Sequence, residues 1–104
     1  MILTEDKKEV AVGDVVFDYY NCRIAKIIDE PDDQGWFHLW GMFNEGSDAH
    51  RPGGNTFKNG ERGYAREILN GERICTLDFA RKAEHFKKYV TDDEVALAEA
   101  TLPQ

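Results

Sequence analysis

The stretch VAVGDVVFDYYNCRIAKIIDEPDDQGWFHLWGMF, residues 10–43, carries the strongest secondary-structure signal in the chain. Short runs of β-branched and aromatic residues alternate with Gly-Asp and Pro-Asp-Asp turn signals, a pattern that favours strands over helices. It predicts three strands, over residues 15–20, 23–28 and 36–43. A tight turn at Asn21 and Cys22 would join the first two strands, and the acidic loop 29–35 would lead to the third. Turn signals about every ten residues are typical of a small barrel or sandwich.

The segment VGDVVFDYYNCRIAKIID, residues 12–29, resembles the first two strands of SH3-like barrels of the KOW and Tudor kind. In those barrels a Gly-Asp turn opens the first strand, and a strand carrying Ile, Ala and Lys follows a short turn. The resemblance implies a small SH3-like barrel and covers about 20 to 30 residues. Short acidic chains of this make-up also resemble uncharacterised bacteriophage proteins.

The tetrapeptide NGER occurs twice, at residues 59–62 and 70–73. Asn-Gly favours two-residue hairpin turns, because both central residues of a type I′ turn need positive φ. The two turns would bracket a strand over residues 61–69, which would pair with the following RICTL across the second NGER. A short helix is the alternative, since Tyr64 and Ile68 stand four residues apart and Asn-Gly can form a left-handed C-terminal cap.

The last part of the chain has a helical pattern. A helix over residues 78–90 would pack through one apolar stripe. This stripe consists of Phe79, Ala83, Phe86 and Val90. The sequence TDDE, residues 91–94, is a capping box that predicts a second helix over residues 92–100.

These elements predict a mainly β fold, a small SH3-like barrel of about five antiparallel strands with one or two C-terminal helices. The 104 residues are expected to form one domain. Its parts would be a polar leader over 1–12, the barrel over 13–77 and a helical segment over 78–100. The loop 44–63, rich in Gly, Asn and Asp, would be exposed, and either flexible or a second contact for a partner.

The charge of the chain is acidic and uneven. There are 20 acidic and 13 basic residues, for a net charge of -7, and residues 1–52 carry -6 of it. A basic excess is the usual footprint of nucleic-acid binding, so the balance argues against it. Residues 57–89 nevertheless hold 8 bases against 5 acids. The nucleic-acid alternative would use the basic side chains Arg66, Arg73, Arg81, Lys82 and Lys88, with Lys87 nearby.

The strand WFHLWGMF, residues 36–43, is apolar on both faces. The second face must be covered by the C-terminal helix, by another subunit or by a ligand. A partner, either another protein or a second copy of the chain, would bind aromatic residues and their neighbours at Tyr19, Tyr20, Trp36, His38, Trp40 and Met42. The acidic half could steer a basic partner. The Tudor resemblance implies that Tyr19, Tyr20, Trp36 and Trp40 could form an aromatic cage for a methylated cation beside Asp18.

No catalytic chemistry is predicted, because the sequence holds no nucleophile beside a base and no phosphate loop. The residue types that zinc prefers, Cys22, His38, His50 and Cys75, lack ligand spacing, so neither a metal nor a cofactor is expected. No secretory signal or membrane span is evident, and the two cysteines lie far apart, which indicates a cytoplasmic protein. The sequence therefore predicts a non-catalytic protein-binding or regulatory module. A nucleic-acid accessory protein is the alternative, and an enzyme is the least favoured class.

Overall fold

The chain folds around a curled antiparallel sheet. A computed structural model describes residues 2–42, 55–56 and 62–100. The strands are β1 Ile2–Leu3, β2 Glu9–Val10, β3 Val15–Asp18, β4 Arg23–Ile27, β5 Trp36–Met42, β6 Asn55–Thr56, β7 Arg62–Leu69 and β8 Ile74–Cys75. β1 and β2 pair with each other, and the other six strands form one sheet in the order β6-β7-β5-β4-β3-β8.

Helices follow the last strand. They are α1 Leu77–Lys82, a 3₁₀ helix Lys87–Tyr89 and α2 Asp92–Ala100. The mainly β class with C-terminal helices is therefore confirmed, and the curled sheet is consistent with a small SH3-like barrel.

The three strands predicted from residues 10–43 form the centre of the sheet. β3, β4 and β5 begin at the predicted positions; β3 ends two residues early and β4 one residue early. The turn after β3 is held by the Asp18 carboxylate. It accepts hydrogen bonds from the backbone amides of Tyr20 and Asn21, at 3.1 and 3.3 Å, and from the Asn21 side chain at 2.7 Å. Cys22 completes the turn with a φ of 53°.

The second NGER forms a turn, but it does not form the predicted hairpin. β7 confirms the predicted strand, and the alternative of a short helix is wrong. Asn70 and Gly71 have the expected positive φ of 62° and 131°. β8, however, pairs with β3, whereas β7 pairs with β5 and β6. Two consecutive turns cause the difference, with Glu72 N donating to Leu69 O at 3.2 Å and Ile74 N donating to Gly71 O at 3.3 Å. They carry the chain to the opposite edge of the sheet.

The two faces of the sheet have different cover, since successive side chains of a strand point to opposite sides. We call one side the inner face, where the buried residues are Val16, Ala25, Ile27, Phe37, Leu39 and Ile68, together with Ile2 and Ile74. We call the other side the outer face, where Phe17, Ile24 and Trp40 pack with Cys75, Ala80, Val95 and Ala98. The helices therefore cover the second apolar face of β5 at Trp40, which is one of the three predicted explanations, whereas Trp36 on the same face stays partly exposed.

The N-terminal segment packs against the inner face, although the sequence suggested only a polar leader over residues 1–12. Ile2 is 2 % exposed and belongs to the inner core. The turn between β1 and β2 is closed by Thr4, whose hydroxyl accepts from the Lys8 amide at 3.0 Å. Ile2 and the partly buried Val10, which packs against the same core, anchor this largely polar hairpin.

The predicted helix over residues 78–90 is interrupted. α1 ends at Lys82, and Ala83 has an extended backbone. Phe79, expected in the packed stripe, is 48 % exposed, whereas its neighbour Ala80 is fully buried. The break lets Phe86 reach Phe17, with ring centroids 5.1 Å apart.

α2 has the predicted bounds. Thr91 caps it, because its hydroxyl accepts from the Glu94 amide at 3.3 Å. The ammonium group of Lys26, nearly buried on the outer face, donates to the Glu99 carbonyl at 3.3 Å. A cation at the C-terminal end of a helix is favourable, so this contact ties α2 to the sheet.

Candidate functional site

A pocket of about 230 Å³ opens where the N-terminal hairpin, the sheet edge and α1 meet. We call it the aromatic pocket; it is lined by Glu5, Asp6, Tyr19, Cys75, Phe79 and Phe86. The three rings and the thiol form apolar walls, and the two carboxylates supply the charge. A small apolar pocket with a few polar groups at its edge is the usual form of a recognition site.

The aromatic walls are fixed by packing. Tyr19 and Phe86 stack with centroids 6.1 Å apart and an interplanar angle of 29°. The Tyr19 hydroxyl donates to the Glu72 carbonyl at 2.7 Å, and its amide donates to the Arg73 carbonyl at 3.1 Å. Phe86 also packs on the buried Phe17. These contacts give the pocket two rigid rings at a defined angle.

Asp6 holds α1 in place beside the pocket. Its carboxylate accepts from the Thr76 amide at 3.0 Å and from the Thr76 hydroxyl at 2.6 Å. That hydroxyl in turn caps α1 by accepting from the Phe79 amide at 3.2 Å. The chain of hydrogen bonds therefore sets the position of Phe79, which stands half-exposed in the wall of the pocket.

The pocket has a negative potential. Burial, and after it the Glu5 carboxylate, raises the pKa of Tyr19. Burial, and after it the charge of Asp6, raises the pKa of the Cys75 thiol to about 12. Burial acts against ionisation of Asp6 as well, but hydrogen bonds from Thr76 and Thr4 outweigh it and lower the pKa of Asp6. At neutral pH the site therefore holds the Asp6 carboxylate and a protonated, unreactive thiol.

A second depression of about 410 Å³ continues from the aromatic pocket and shares Asp6 and Phe79 with it. Its other lining residues are Lys8, Thr76, Asp78 and Lys82. Phe79 therefore stands between an apolar pocket and a mixed-charge groove. Such a pair of surfaces suits an extended chain better than a single small molecule.

The aromatic residues predicted from the sequence do not form one surface. Tyr19 lines the aromatic pocket, and Tyr20, 63 % exposed, lies beside it with the Arg73 guanidinium 4.7 Å from its ring. Trp40 is 3 % exposed and packs in the outer core. Met42 ends β5, and its side chain lies outside the described residues.

Trp36 stands at the opposite end of the sheet from Tyr19 and Tyr20. β3 and β4 pair at Asp18 and Arg23 near the tyrosines, whereas β5 begins with Trp36 beyond the last pair of β4. The separation is eight residues along the strands, roughly 25 Å. The structure therefore does not bring Trp36 and the tyrosines together as the cage implied by the Tudor resemblance.

His38 and the acidic loop have a structural arrangement. Asp29 accepts from the His38 amide and contacts the His38 ring nitrogen Nδ1, both at 2.6 Å. Asp32 accepts from the amides of Gln34 and Trp36, at 2.9 and 3.0 Å. The acids of the loop thus shape the turn into β5. Trp36, 37 % exposed, completes this end of the sheet as a second partly exposed aromatic surface.

The basic residues of the nucleic-acid alternative are spread over several elements. Arg66 lies on β7, on the same side as Ile68, whereas Arg73 stacks on Tyr20. Arg81 pairs with Asp78 at 3.5 Å in α1, where Lys82 is also exposed. On the 3₁₀ helix, Lys88 lies over Tyr89 and Lys87 pairs with Glu84 at 2.9 Å. These positions do not form one continuous basic stripe.

The zinc-preferring residues are also separated. Cys22 lies in the turn after β3, Cys75 in β8 and His38 in β5, and both cysteines are free thiols. His50 lies outside the described residues. Among the residues that the structure describes, no three His, Cys, Asp or Glu side chains come together in a group that could hold a metal ion.

Sequence reasoning identified Tyr19 and missed the other five residues of the aromatic pocket. The contact between Asp6 and Thr76 joins residues 70 positions apart, and it depends on β8 pairing with β3. No local pattern carries that information. The start of α1 could have been found, because Thr76 is a favourable N-cap residue, but a cap does not fix which side of the helix packs and so did not reveal Phe79.

No protein-family model, curated protein or solved structure matches this chain. The resemblance to KOW and Tudor strands and to bacteriophage proteins therefore stays a prediction. Over residues 2–42, 55–56 and 62–100, no helix has the length and apolar content needed to cross a bilayer.

Proposed function

We propose that this protein is a protein-binding module that recognises its partner through the aromatic pocket. The proposal replaces Trp36 and Trp40 as the central contacts with Tyr19, Phe79 and Phe86. Aromatic side chains at a preformed pocket are where the energy of protein interfaces concentrates. The module need not carry out chemistry, since its function is the contact itself.

One observation carries the proposal: Phe79 is 48 % exposed beside an apolar pocket, while the adjacent Ala80 is fully buried. A helix that served only to cover the sheet would gain more by burying the larger side chain. The N-cap through Thr76 instead fixes α1 with Phe79 outward. Burial of Phe79 by a partner would recover the unused apolar area.

The test is affinity capture from cells of the source organism, with the recovered partner then purified and its binary affinity measured. Phe79→Ser is compared with Trp36→Ser, because both side chains are partly exposed and they lie at opposite ends of the sheet. We expect Phe79→Ser to weaken the binary complex at least tenfold, as the loss of an interface anchor does. Trp36→Ser should leave the affinity within about twofold of the original, an expected effect well below the cost of an anchor.

The two variants also separate the competing surfaces. Loss of binding only in Trp36→Ser would overturn the pocket proposal in favour of the surface at the start of β5. Loss in neither variant would exclude both surfaces as the main contact. A complex that dissociates on nuclease treatment would instead support the nucleic-acid alternative.

A cytoplasmic location is part of the proposal. Cys22 and Cys75 are both free thiols, as suits a reducing compartment. Fractionation of cells that express the protein at its natural level tests this. Recovery outside the cytoplasmic fraction would contradict it.

A further inference from the structure

The aromatic pocket combines flat apolar walls with a carboxylate edge. Tyr19 and Phe86 are stacked and held by other contacts, and Phe79 stands beside them. The faces of aromatic rings attract cations, most strongly where water is partly excluded. The walls therefore suit a side chain with an apolar stem and a positive end.

Glu5 and Asp6 supply the matching negative charge. Both residues line the pocket, and Glu5 is exposed. The Glu5 charge acts on the Tyr19 hydroxyl, and the Asp6 charge acts on the Cys75 thiol. A purely apolar occupant would remove water from these acids without giving them a partner, which costs free energy.

We propose that the aromatic pocket binds the arginine side chain of a basic segment in the partner protein. A guanidinium group is planar, stacks on aromatic rings and can donate to two acceptors at once. A lysine ammonium offers a point charge without the flat surface. The inference rests on the proposed function, because it names the chemistry of the partner that the same pocket receives.

The charge of the whole chain supports a basic partner. The net charge is -7, and residues 1–52, which contain Glu5, Asp6 and Tyr19, carry -6 of it. Such a field attracts basic segments over distances longer than a contact and raises the rate of association. It also disfavours acidic ligands in the same site.

Four seven-residue peptides test the inference on the full chain. Each is an acetylated and amidated Gly-Ser-Gly-X-Gly-Ser-Gly, in which X is arginine, citrulline, lysine or leucine. Citrulline has the shape of arginine without its charge. Amide signals are followed in two-dimensional NMR titrations at low salt. We expect the arginine peptide to bind with a Kd on the order of 1 mM and to shift the signals of Tyr19, Cys75, Phe79 and Phe86.

Charge is tested separately from shape. The citrulline peptide should bind at least tenfold more weakly than the arginine peptide. The arginine peptide should also bind the Glu5→Gln variant at least tenfold more weakly than it binds the original chain. The matched control is Glu30→Gln, which removes an exposed charge from the loop at the other end of the sheet and should leave the affinity unchanged. Added salt should weaken binding of the two cationic peptides, arginine and lysine, and should leave any binding of the neutral citrulline and leucine peptides unchanged.

The outcomes separate this inference from the proposed function. If leucine or citrulline binds as tightly as arginine at the same four signals, the pocket still receives a peptide but the arginine assignment is wrong. If no peptide shifts these signals, yet Phe79→Ser loses the captured partner, only the inference fails. If no peptide shifts these signals and Phe79→Ser binds the captured partner as tightly as the original chain does, both the inference and the proposed function fail.

Discussion

The inner and outer faces of the sheet are built from similar residues, but they are closed to different degrees. On the inner face, all eight core residues are 2 % exposed or less. The outer face is covered by short helical pieces, and its cluster includes half-buried aromatic residues such as Tyr19 and Phe86. We infer that the more tightly closed inner face contributes more to the stability of the fold, and that the outer face leaves a surface open to a partner.

The way each face is covered explains the difference. The inner face is closed by the curvature of the sheet itself and by Ile2, so its side chains meet one another directly. α2 covers one part of the outer face through Val95 and Ala98. The part near Tyr19 depends on α1 and the 3₁₀ helix, which are six and three residues long and are separated by a break at Ala83. Elements this short cannot cover a whole face, and the aromatic pocket lies where their cover ends.

The largest expected effect is on the inner face. Phe37→Ala should lower the free energy of unfolding by about 3–5 kcal/mol, because Phe37 is 1 % exposed and its removal leaves a cavity. Phe86→Ala, at the half-buried wall of the pocket, should lower it by about 2 kcal/mol. Urea unfolding at pH 7, followed by circular dichroism, measures both. Equal losses would show that the outer face is packed as tightly as the inner one.

The sequence allowed the local parts of both faces to be predicted. β3, β4 and β5 follow from β-branched and aromatic runs between turn signals, and α2 follows from the capping box at Thr91. These patterns act over a few residues, so the chain reveals them directly. The positive φ of Asn70 and Gly71 was predictable for the same reason.

The assembly of the pocket could not be predicted in this way. It requires that β8 pair with β3 rather than with β7, although the second NGER has the local signal of a hairpin. Two successive backbone turns override that signal, and nothing in the tetrapeptide distinguishes the two paths. In this strand order the turn of the N-terminal hairpin lies beside α1, and the Asp6 carboxylate accepts a hydrogen bond from the Thr76 amide.

The N-terminal hairpin packs closely against the turn at Gly71. A Cβ atom at Gly71 would lie 2.3 Å from the Leu3 carbonyl oxygen, whereas at Gly13 it would meet nothing within 4 Å. Both glycines have positive φ, so Gly13→Ala should cost about 1 kcal/mol through backbone strain alone. Gly71→Ala should cost roughly 2–3 kcal/mol, because the hairpin must also shift. The same urea titration compares them, and equal losses would mean that the hairpin adds nothing to closure.

A smaller effect should appear at the start of α1, on the outer side. Asp6→Asn should lower the stability at pH 7 by about 1 kcal/mol, the low end for bonds to a charged group, because Asp6 is only partly buried. The pKa of Asp6 is lowered in the folded protein from an unfolded value near 3.8. Its stabilisation is therefore present above pH 3.8 and is lost as the pH falls through the lower folded value.

Urea titrations of the original chain and of Asp6→Asn between pH 7 and pH 2.5 measure this dependence. The two stabilities should differ at pH 7 and converge in acid. Asp78→Asn is the matched control, since Asp78 is an exposed carboxylate in the first turn of α1, the helix that Asp6 holds through Thr76. A constant difference at all pH values would show that Asp6 acts through shape and not through its charge.

The smallest effect on stability should come from Phe79, although it is a large aromatic residue. Phe79→Ser should change the free energy of unfolding by no more than about 0.5 kcal/mol, because nearly half of the side chain is exposed and Ser has a similar helix propensity. Ala80→Leu, one residue later, should cost about 1–3 kcal/mol by overfilling a fully buried position. The contrast is measured by urea unfolding, alongside binding of the arginine peptide to the Phe79 variant. A loss above 1 kcal/mol in Phe79→Ser would place Phe79 in the core. The outer face would then be closed like the inner one, because this half-exposed ring would be contributing to the fold and not to a partner.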